Sequence, residues 1–332
     1  MTGWKDSLTQ EERSALERAE LPGRIAPMLA TLTHDRFSRQ GWIFERKFDG
    51  ERILAFREGG RVRLMTRNGR DVSETYPEIA AALEDQACGD FLADGEAVAF
   101  EGEVTSFSKL QQRMQIRNEQ EARNSPVPVW YYAFDLLHLE GYALENLPLR
   151  VRKKLLKEAL SFGGRVRYTP HRDREGEAYY QEACGKGWEG IVAKDAGSKY
   201  EHRRSRSWLK FKCTKGQELV IGGYTAPGGE RDYFGALLAG YYEEDKLRYA
   251  GRVGTGFDED DLRRLYSMLK DRETPESPFA DQVPGSGVTW VKPELVAEIG
   301  FTEWTRAGRL RHPRFLGLRR DKAAEEVVRE PQ

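Results

Sequence analysis

Cysteine is scarce in this sequence. Three occur, Cys88, Cys184 and Cys213, widely spaced. They form no CxxC zinc pattern and no disulfide framework, so reduced thiols in packing positions are expected. Long hydrophobic runs are missing as well: no stretch approaches the roughly 20 apolar residues that a membrane span needs. Polar and charged residues fill Met1 to Glu20, which predicts no signal peptide and a cytoplasmic location. The five histidines, His34, His138, His171, His202 and His312, show no metal-ligand spacing and read as structural or surface residues. A charge of one sign is also lacking, because 53 Lys and Arg against 54 Asp and Glu leave a net of -1. That balance, taken alone, argues against a nucleic-acid partner.

The charge that is present comes in blocks. Ten acids and no Lys or Arg lie between Asp71 and Val104. Nine Lys/Arg face two acids between Leu147 and Arg174, and seven face one between Trp304 and Lys322. Such segments either meet phosphate or form solvated faces. The length, 332 residues, suggests two domains. Core material is ample, with 15 Phe, 14 Tyr and 7 Trp, which excludes disorder along the whole chain.

A short polar helix is expected around Gln10 to Ala19. Strands are expected at Trp42 to Arg46, Arg52 to Phe56, Val62 to Met65, Phe91 to Phe100, Val127 to Leu139, Gly190 to Lys194 and Trp208 to Cys213. Helices are expected at Ser73 to Leu83, Ser106 to Gln115, Pro148 to Leu160 (basic and amphipathic) and Arg174 to Gly185. Thr214-Lys215-Gly216 reads as a hinge. Beyond it, closely spaced glycines punctuate short strands, with one helix at Asp258 to Leu269, the rhythm of a small β-barrel such as an OB-fold.

The chemistry concentrates in Glu45-Arg46-Lys47-Phe48-Asp49-Gly50-Glu51-Arg52. A lysine between two apolar strands becomes a nucleophile when neighbouring cations and desolvation strip its proton. Arg52 follows the Asp49-Gly50 turn closely enough to reach the same ligand. An ordinary charged hairpin is the competing reading. Further segments accompany it: Thr66-Arg67-Asn68-Gly69, Asp94-Gly95-Glu96, Phe134-Asp135, Glu189 to Lys194, Lys210-Phe211-Lys212 and Arg319-Arg320-Asp321-Lys322. An acid inside the apolar strand Phe91 to Phe100 is costly unless it meets a metal or a hydroxyl. Lys210 and Lys212 share one strand face.

In this order, KFDGER, TRNG, DGE, FD, EGIVAK, KFK and RxDK resemble the six motifs of the covalent nucleotidyltransferases: ATP-dependent DNA ligases, RNA ligases and mRNA capping enzymes. The resemblance runs from about Pro27 to Lys322. Ile25 to Ala30, Val291 to Glu298 and Arg309 to Arg319 are similar to the ligase module of bacterial end-joining DNA ligase D. That family usually also carries polymerase and phosphoesterase modules, for which 332 residues leave no room, so a stand-alone ligase or an excised module is expected. The large N-terminal helical domain of replicative ligases is absent too, as is the four-cysteine zinc site of the NAD-dependent ligases.

The resemblance implies an α+β fold. A nucleotidyltransferase (adenylation) domain of antiparallel sheets with flanking helices spans 22–215, after a polar segment 1–21. An OB-fold β-barrel spans 216–325, with a tail at 326–332. It implies that Lys47 attacks the α-phosphate of ATP, with Glu45 beside the adenine and Phe134 stacked on it. Arg52 and Arg67 would hold ribose or phosphates, and Arg204 is the choice among neighbouring arginines for a nucleotide contact. Lys194, Lys210 and Lys212 would cradle the α-phosphate. Glu96 and Glu189 would hold Mg2+, with Mn2+ as a substitute, and Glu96 has the ribose as its alternative partner. Arg319, Asp321 and Lys322 would orient pyrophosphate. The implied substrate is nicked or broken double-stranded DNA, with a Ku-type end-binding protein and a separate repair polymerase as partners, and no membrane. A monomer is the default, acting in the cytoplasm at the nucleoid. An RNA ligase or capping-type enzyme and a non-catalytic DNA-end-binding module are the alternatives.

Overall fold

Two sheets take up most of the first two-thirds of the chain. The computed structural model describes residues 3–213, 216–228, 232–305, 307–319 and 322–330. The chain divides into two compact units, the first ending at Cys213. The first unit contains β1 (Leu29–Leu32), β2 (Trp42–Lys47), β3 (Glu51–Glu58), β4 (Arg61–Thr66), α1 (Pro77–Glu84), β5 (Phe91–Val98), α2 (Phe107–Met114) and β6 (Trp130–Leu139). It continues with α3 (Leu149–Ala159), β7 (Val166–Tyr168), β8 (His171–Asp173), α4 (Gly176–Gly185), β9 (Gly190–Asp195) and β10 (Arg204–Lys212).

In the first sheet the order is β6, β5, β3, β4, all antiparallel, with β7 added parallel to β6. The second runs β8, β2, β9, β10, β1, antiparallel except for β1 on β10. Period-two alternation sorts the side chains. Ile53, Ala55, Ala93, Tyr131 and Ala133 form one face of the first sheet and pack with Ile79, Leu110 and Leu155 of α1, α2 and α3. Leu54, Leu92 and Phe134 form the other face and meet Ile43 and Trp208 of the second sheet. Phe44, Ile191 and Phe211 pack with Tyr179 and Ala183 of α4. Both sheets are thus covered on their outer faces, and their inner faces turn toward each other, with Lys47 and Glu189 left partly exposed.

Several expectations are corrected. The N-terminal helix stops at Ser14, and Glu17–Arg18 pairs with Tyr142–Ala143 instead. Helix α1 begins at Pro77 because the N–H groups of Thr75 and Tyr76 first turn back to the Val72 carbonyl. Cys184 and Cys213 are not reduced thiols. They are disulfide-bonded, their Cα atoms 5.2 Å apart, and Cys88 alone is free. Twenty-nine residues separate the pair in sequence. The contact arises because the end of α4 folds back beside the end of β10, which spacing alone does not show.

The basic stretch Leu147 to Arg174 is a solvated face only in part: Lys154, Lys157 and Arg174 are exposed, but other cations turn inward or pair. Arg152 is fully buried and donates to both oxygens of Asp135, at 2.8 and 2.9 Å. Lys153 is buried against Glu45, Arg150 pairs with Asp173, and Arg172 pairs with Glu182. Carboxylates inside the sheets need cations, and α3 turns its long side chains inward to supply them.

The second unit contains β11 (Gly216–Thr225), β12 (Leu237–Glu243), β13 (Lys246–Val253), α5 (Glu259–Lys270), β14 (Val288–Gly300) and β15 (Arg314–Arg319). Its antiparallel sheet runs β13, β12, β11, β14, with β15 also on β14. Asp258 caps α5 by accepting from the Asp261 N–H. Leu262, Leu265 and Leu269, at helical spacing, join Leu219, Leu238 and Val296 in one core. Among the described residues no helix is long and apolar enough to cross a membrane.

Candidate active site

Alternation along β2 sends Glu45 and Lys47 to the inner face and Phe44 and Arg46 away from it. Strands β9 and β10 extend the same face. Lys47 pairs with Gly190, which pairs with Lys212; Glu45 pairs with Val192, which pairs with Lys210; Lys194 pairs with Trp208. Six functional side chains, scattered over 168 positions from Glu45 to Lys212, therefore share one surface. Gly190 is required there, because its φ is +149° and a Cβ would lie 2.0 Å from the Phe211 carbonyl oxygen. At Gly50 a Cβ would lie 2.3 Å from the Ala97 carbonyl oxygen, so only glycine lets this turn close against β5.

The first sheet supplies the opposite wall. Arg52 pairs with Glu96 across β3 and β5, and Glu96 with Tyr132 across β5 and β6. Arg52 is bidentate on Asp94 at 2.5 and 2.6 Å, and the Tyr200 hydroxyl donates to the same carboxylate at 2.6 Å. A guanidinium and a hydroxyl are thus what the buried acid meets. Phe134 sits where the β5–β6 register slips. Its ring centroid is 4.6 Å from the Arg52 guanidinium and 4.2 Å from Lys194 Nζ. Trp208 lies edge-on to it, at 6.1 Å between centroids.

Lys47 Nζ lies 2.6 Å from the Glu189 carboxylate. Burial pushes the Lys47 ammonium down, but Glu189 more than offsets this, with help from Glu96 and against Lys212, and its pKa stands above the ordinary lysine value. Lys212, Glu96 and Glu189 are therefore all close enough to act on the Lys47 charge. Glu45 is fully buried. Burial alone would raise its pKa, yet Lys153 and Lys194 hold it below the usual carboxylate range. Burial lowers Lys194, and Glu45 only partly counters that.

Thr169 Oγ1, His171 Nδ1 and Trp208 Nε1 are among the buried polar atoms around this cluster that have no hydrogen-bond partner. Lys153, which holds Glu45, also donates to the Thr169 carbonyl; His171 pairs with Glu45 across β8 and β2, and Trp208 with Lys194. Orphaned buried groups are costly, and a heteroaromatic base with donors and acceptors on its edge has the chemistry to satisfy them. For a metal the donor set is sparse. Among the described residues no three His, Cys, Asp or Glu gather into an ion site. Two carboxylates, Glu96 and Glu189, do flank Lys47, and Mg2+ typically takes one or two together with phosphate oxygens and water.

Other candidates lie farther out. Arg67 is partly exposed on the turn after β4. Arg204 is exposed at the start of β10 and donates to the Ala30 carbonyl. The strand bulges between Ser205 and Leu209, so Arg204 and Lys210 pair with Leu29 and Leu32 of β1, positions roughly 10 Å apart along that strand. Arg319 ends β15, and Lys322 pairs with Glu218 at 3.0 Å, both within the second unit. Asp321 lies outside the described residues.

Sequence reasoning missed Lys153, Thr169, His171, Trp208 and Glu51. Glu51 is buried and accepts from Arg70 at 3.1 Å and from the Tyr76 hydroxyl at 2.7 Å, anchoring the chain just beyond Arg67. The period-two pattern could have placed Trp208 beside Lys210 and Lys212. Nothing in the sequence marked Lys153, whose helix looked like a surface element.

Comparison with known proteins bears on this arrangement. The family model described as ATP dependent DNA ligase domain matches residues 27–212, and that of the ATP dependent DNA ligase C terminal region matches 230–322. The chain is 42% identical over 315 residues to the multifunctional non-homologous end joining DNA repair protein LigD of Mycobacterium tuberculosis, covering 92% of this chain and 40% of that protein. It is 32% identical over 295 residues to a DNA ligase of Methanoculleus marisnigri, covering 85% of this chain and 52% of the relative. A solved mycobacterial DNA ligase D complexed with ATP aligns with a TM-score of 0.66 at 39% identity, covering 92% of this chain and 98% of that one. The chain thus spans about 40% of the length of the LigD relatives it matches.

Proposed function

The chain belongs to the ATP-dependent DNA ligases, and we propose that it joins a 3′-hydroxyl to a 5′-phosphate in DNA through AMP carried on Lys47. The observation that carries the reading is Lys47 itself, paired with Glu189 and on the same strand face as Lys194, Trp208, Lys210 and Lys212. Three phosphoryl transfers make up the reaction. Lys47 Nζ, which its pairing with Glu189 favours as the ammonium, gives a proton to solvent when that pairing is relieved, and attacks the α-phosphorus of ATP. An N–P bond forms, the bond to the β-phosphate breaks, and pyrophosphate leaves. A 5′-phosphate oxygen of DNA then takes AMP from Lys47. Last, the 3′-hydroxyl loses its proton and attacks the phosphorus of the DNA 5′-phosphate, the bond from that phosphorus to AMP breaks, AMP leaves and the strand is sealed.

In such transfers most of the catalysis is positioning and charge neutralisation. Lys194, Lys210 and Lys212 would neutralise the α-phosphate from the face they share with Lys47. Phe134 and Trp208 would enclose the base, with Glu45, Thr169 and His171 at its edge. Arg52 would brace the ribose side, with Arg67 at the phosphates. Glu96 and Glu189 would hold Mg2+, which supplies charge neutralisation at phosphate oxygens. Arg319, Asp321 and Lys322 would serve pyrophosphate.

We place this activity in the end joining of DNA breaks, in keeping with the names of the LigD relatives, with a Ku-type end-binding protein and a repair polymerase as partners at the nucleoid. The test is intact-mass measurement after incubation with ATP or GTP and Mg2+, followed by addition of nicked DNA or nicked RNA. One AMP should be gained from ATP and then lost to nicked DNA, and Lys47→Ala should gain none. Adenylation of Lys47→Ala, or transfer to RNA alone, would refute the reading.

A further inference from the structure

Beside Lys47 lies a strip of aromatic rings and arginines that the ligation chemistry leaves unused. On β6, Trp130 and Tyr132 alternate with the buried Tyr131 and Ala133, and so stand on the other face of the sheet, partly exposed. The register makes Tyr132 the neighbour of Glu96 on one side and of Arg167 on β7 on the other. The row Arg52, Glu96, Tyr132, Arg167 thus leads outward on one face. Phe48, next to Lys47, lies 4.3 Å from the Tyr132 ring, and Phe100 lies 5.4 Å from Trp130.

Three arginines flank these rings. Arg165 is 5.2 Å from the Trp130 ring and donates only to the Val129 carbonyl. Arg46 is 5.2 Å from Phe48 and 4.2 Å from Trp188, donates to the Glu103 carbonyl, and keeps its buried Nε without a partner. Among the described residues, Arg46, Arg165 and Arg167 form no ion pair. The contrast is local. Arg150, Arg152, Lys153 and Arg172, from the same basic stretch as Arg165 and Arg167, are all paired.

We propose that this strip binds an unpaired stretch of a DNA strand, its bases stacked on Tyr132 and Trp130 and its phosphates on Arg165, Arg167 and Arg46. Rings interleaved with arginines outside any ion pair match a single strand, since stacking uses any base and arginine meets the backbone. A duplex hides its base faces inside the stack and offers nothing to the rings. The strip adjoins the nucleophile through Phe48, so a tail held there would emerge beside the joining site. The proposal rests on the ligase reading for its choice of DNA.

Anisotropy with a labelled oligothymidylate tests it on the whole chain, comparing the wild type with Arg165→Ala/Arg167→Ala and with Trp130→Ala. Both changes lie on the partly exposed surface, and melting curves check that the variants are folded. Each variant should bind the single strand about five- to tenfold more weakly. In the double-arginine variant the slope of log affinity against log salt should shrink by about 1.4, from two lost phosphate contacts at about 0.7 each. Self-adenylation with ATP should match the wild type in both variants. Equal single-strand affinity in folded variants, or no binding by the wild type, would overturn the strip as a binding site. Loss of self-adenylation in the wild type would instead overturn the ligase reading and leave the strand-binding result standing.

Discussion

One oxygen of Glu45 lies 2.6 Å from Lys153 Nζ, the other lies 2.7 Å from Lys194 Nζ, and all three side chains are buried. A single negative charge therefore holds two ammonium groups, one from α3 and one from β9. Glu45→Gln should leave both cations uncompensated in a low-dielectric setting and cost about 3–5 kcal/mol of stability. The cost should depend on pH. Glu45 is held below its ordinary value of 4.5, so its stabilisation is present above about pH 4.5 and is lost as pH falls through the depressed folded value. The melting-temperature gap between wild type and Glu45→Gln should narrow in acid. A gap that stays constant from pH 7 to pH 3 would show that the pair is not the source.

That pair also marks the limit of what the sequence discloses. Lys210 and Lys212 were legible because strand alternation is local and puts them on one face, whereas Lys47, Glu189 and Lys194 were marked by their motifs, since pairing between distant strands is not local. The disulfide and the inward turn of Lys153 were not legible. Both depend on how helices pack back onto sheets, which periodicity does not encode. The basic helix read as a surface because its cations outnumber its acids within its own segment. Their partners, Glu45 and Asp135, lie on strands elsewhere in the chain. The Asp94 of the DGE motif was read as needing a metal or a hydroxyl, and the guanidinium of Arg52 was not foreseen.

A second carboxylate makes a similar case on the helix-covered face of the first sheet. Glu51 is four residues beyond Lys47 and fully buried, and it ties Arg70 to the Tyr76 hydroxyl. Burial and Glu51 together push the Tyr76 hydroxyl well above its ordinary value, so it stays a donor throughout the physiological range. Glu51→Ala should strand both partners and lower stability by about 2–4 kcal/mol, read as a shift in urea midpoint. Tyr76→Phe should cost less, about 1 kcal/mol, since it removes a single hydrogen bond. Equal midpoints for Glu51→Ala and wild type would remove the anchor from the argument.

The Cys184–Cys213 bond closes a loop across 29 positions. In the chain-entropy account a loop of that size is worth roughly 3–4 kcal/mol. Protein purified without reductant should show one alkylatable thiol, Cys88, and dithiothreitol should lower its melting temperature. Cys184→Ser/Cys213→Ser should melt at the reduced protein's temperature and respond no further to reductant. Three alkylatable thiols in the untreated protein would return the reading to reduced cysteines.

The C-terminal motif should matter to one step more than to the others. Lys322 is paired with Glu218 in the second unit, and 275 positions separate it from Lys47. Pyrophosphate leaves readily only when its charge is met, whereas a nick that already carries AMP has no pyrophosphate to release. A variant with Arg319→Ala and Lys322→Ala should therefore lose most self-adenylation yet keep a substantial share of sealing on a pre-adenylated nick. Glu218→Gln separates the structural part of Lys322 from the proposed one. It breaks the same ion pair while leaving the cation, so it should lower stability modestly and leave self-adenylation near normal. Comparable losses in both assays for the folded double variant would replace the step-specific role with general DNA binding. A self-adenylation defect in Glu218→Gln as deep as that of the double variant would mean that the ion pair, and not the cations, is what the first step requires.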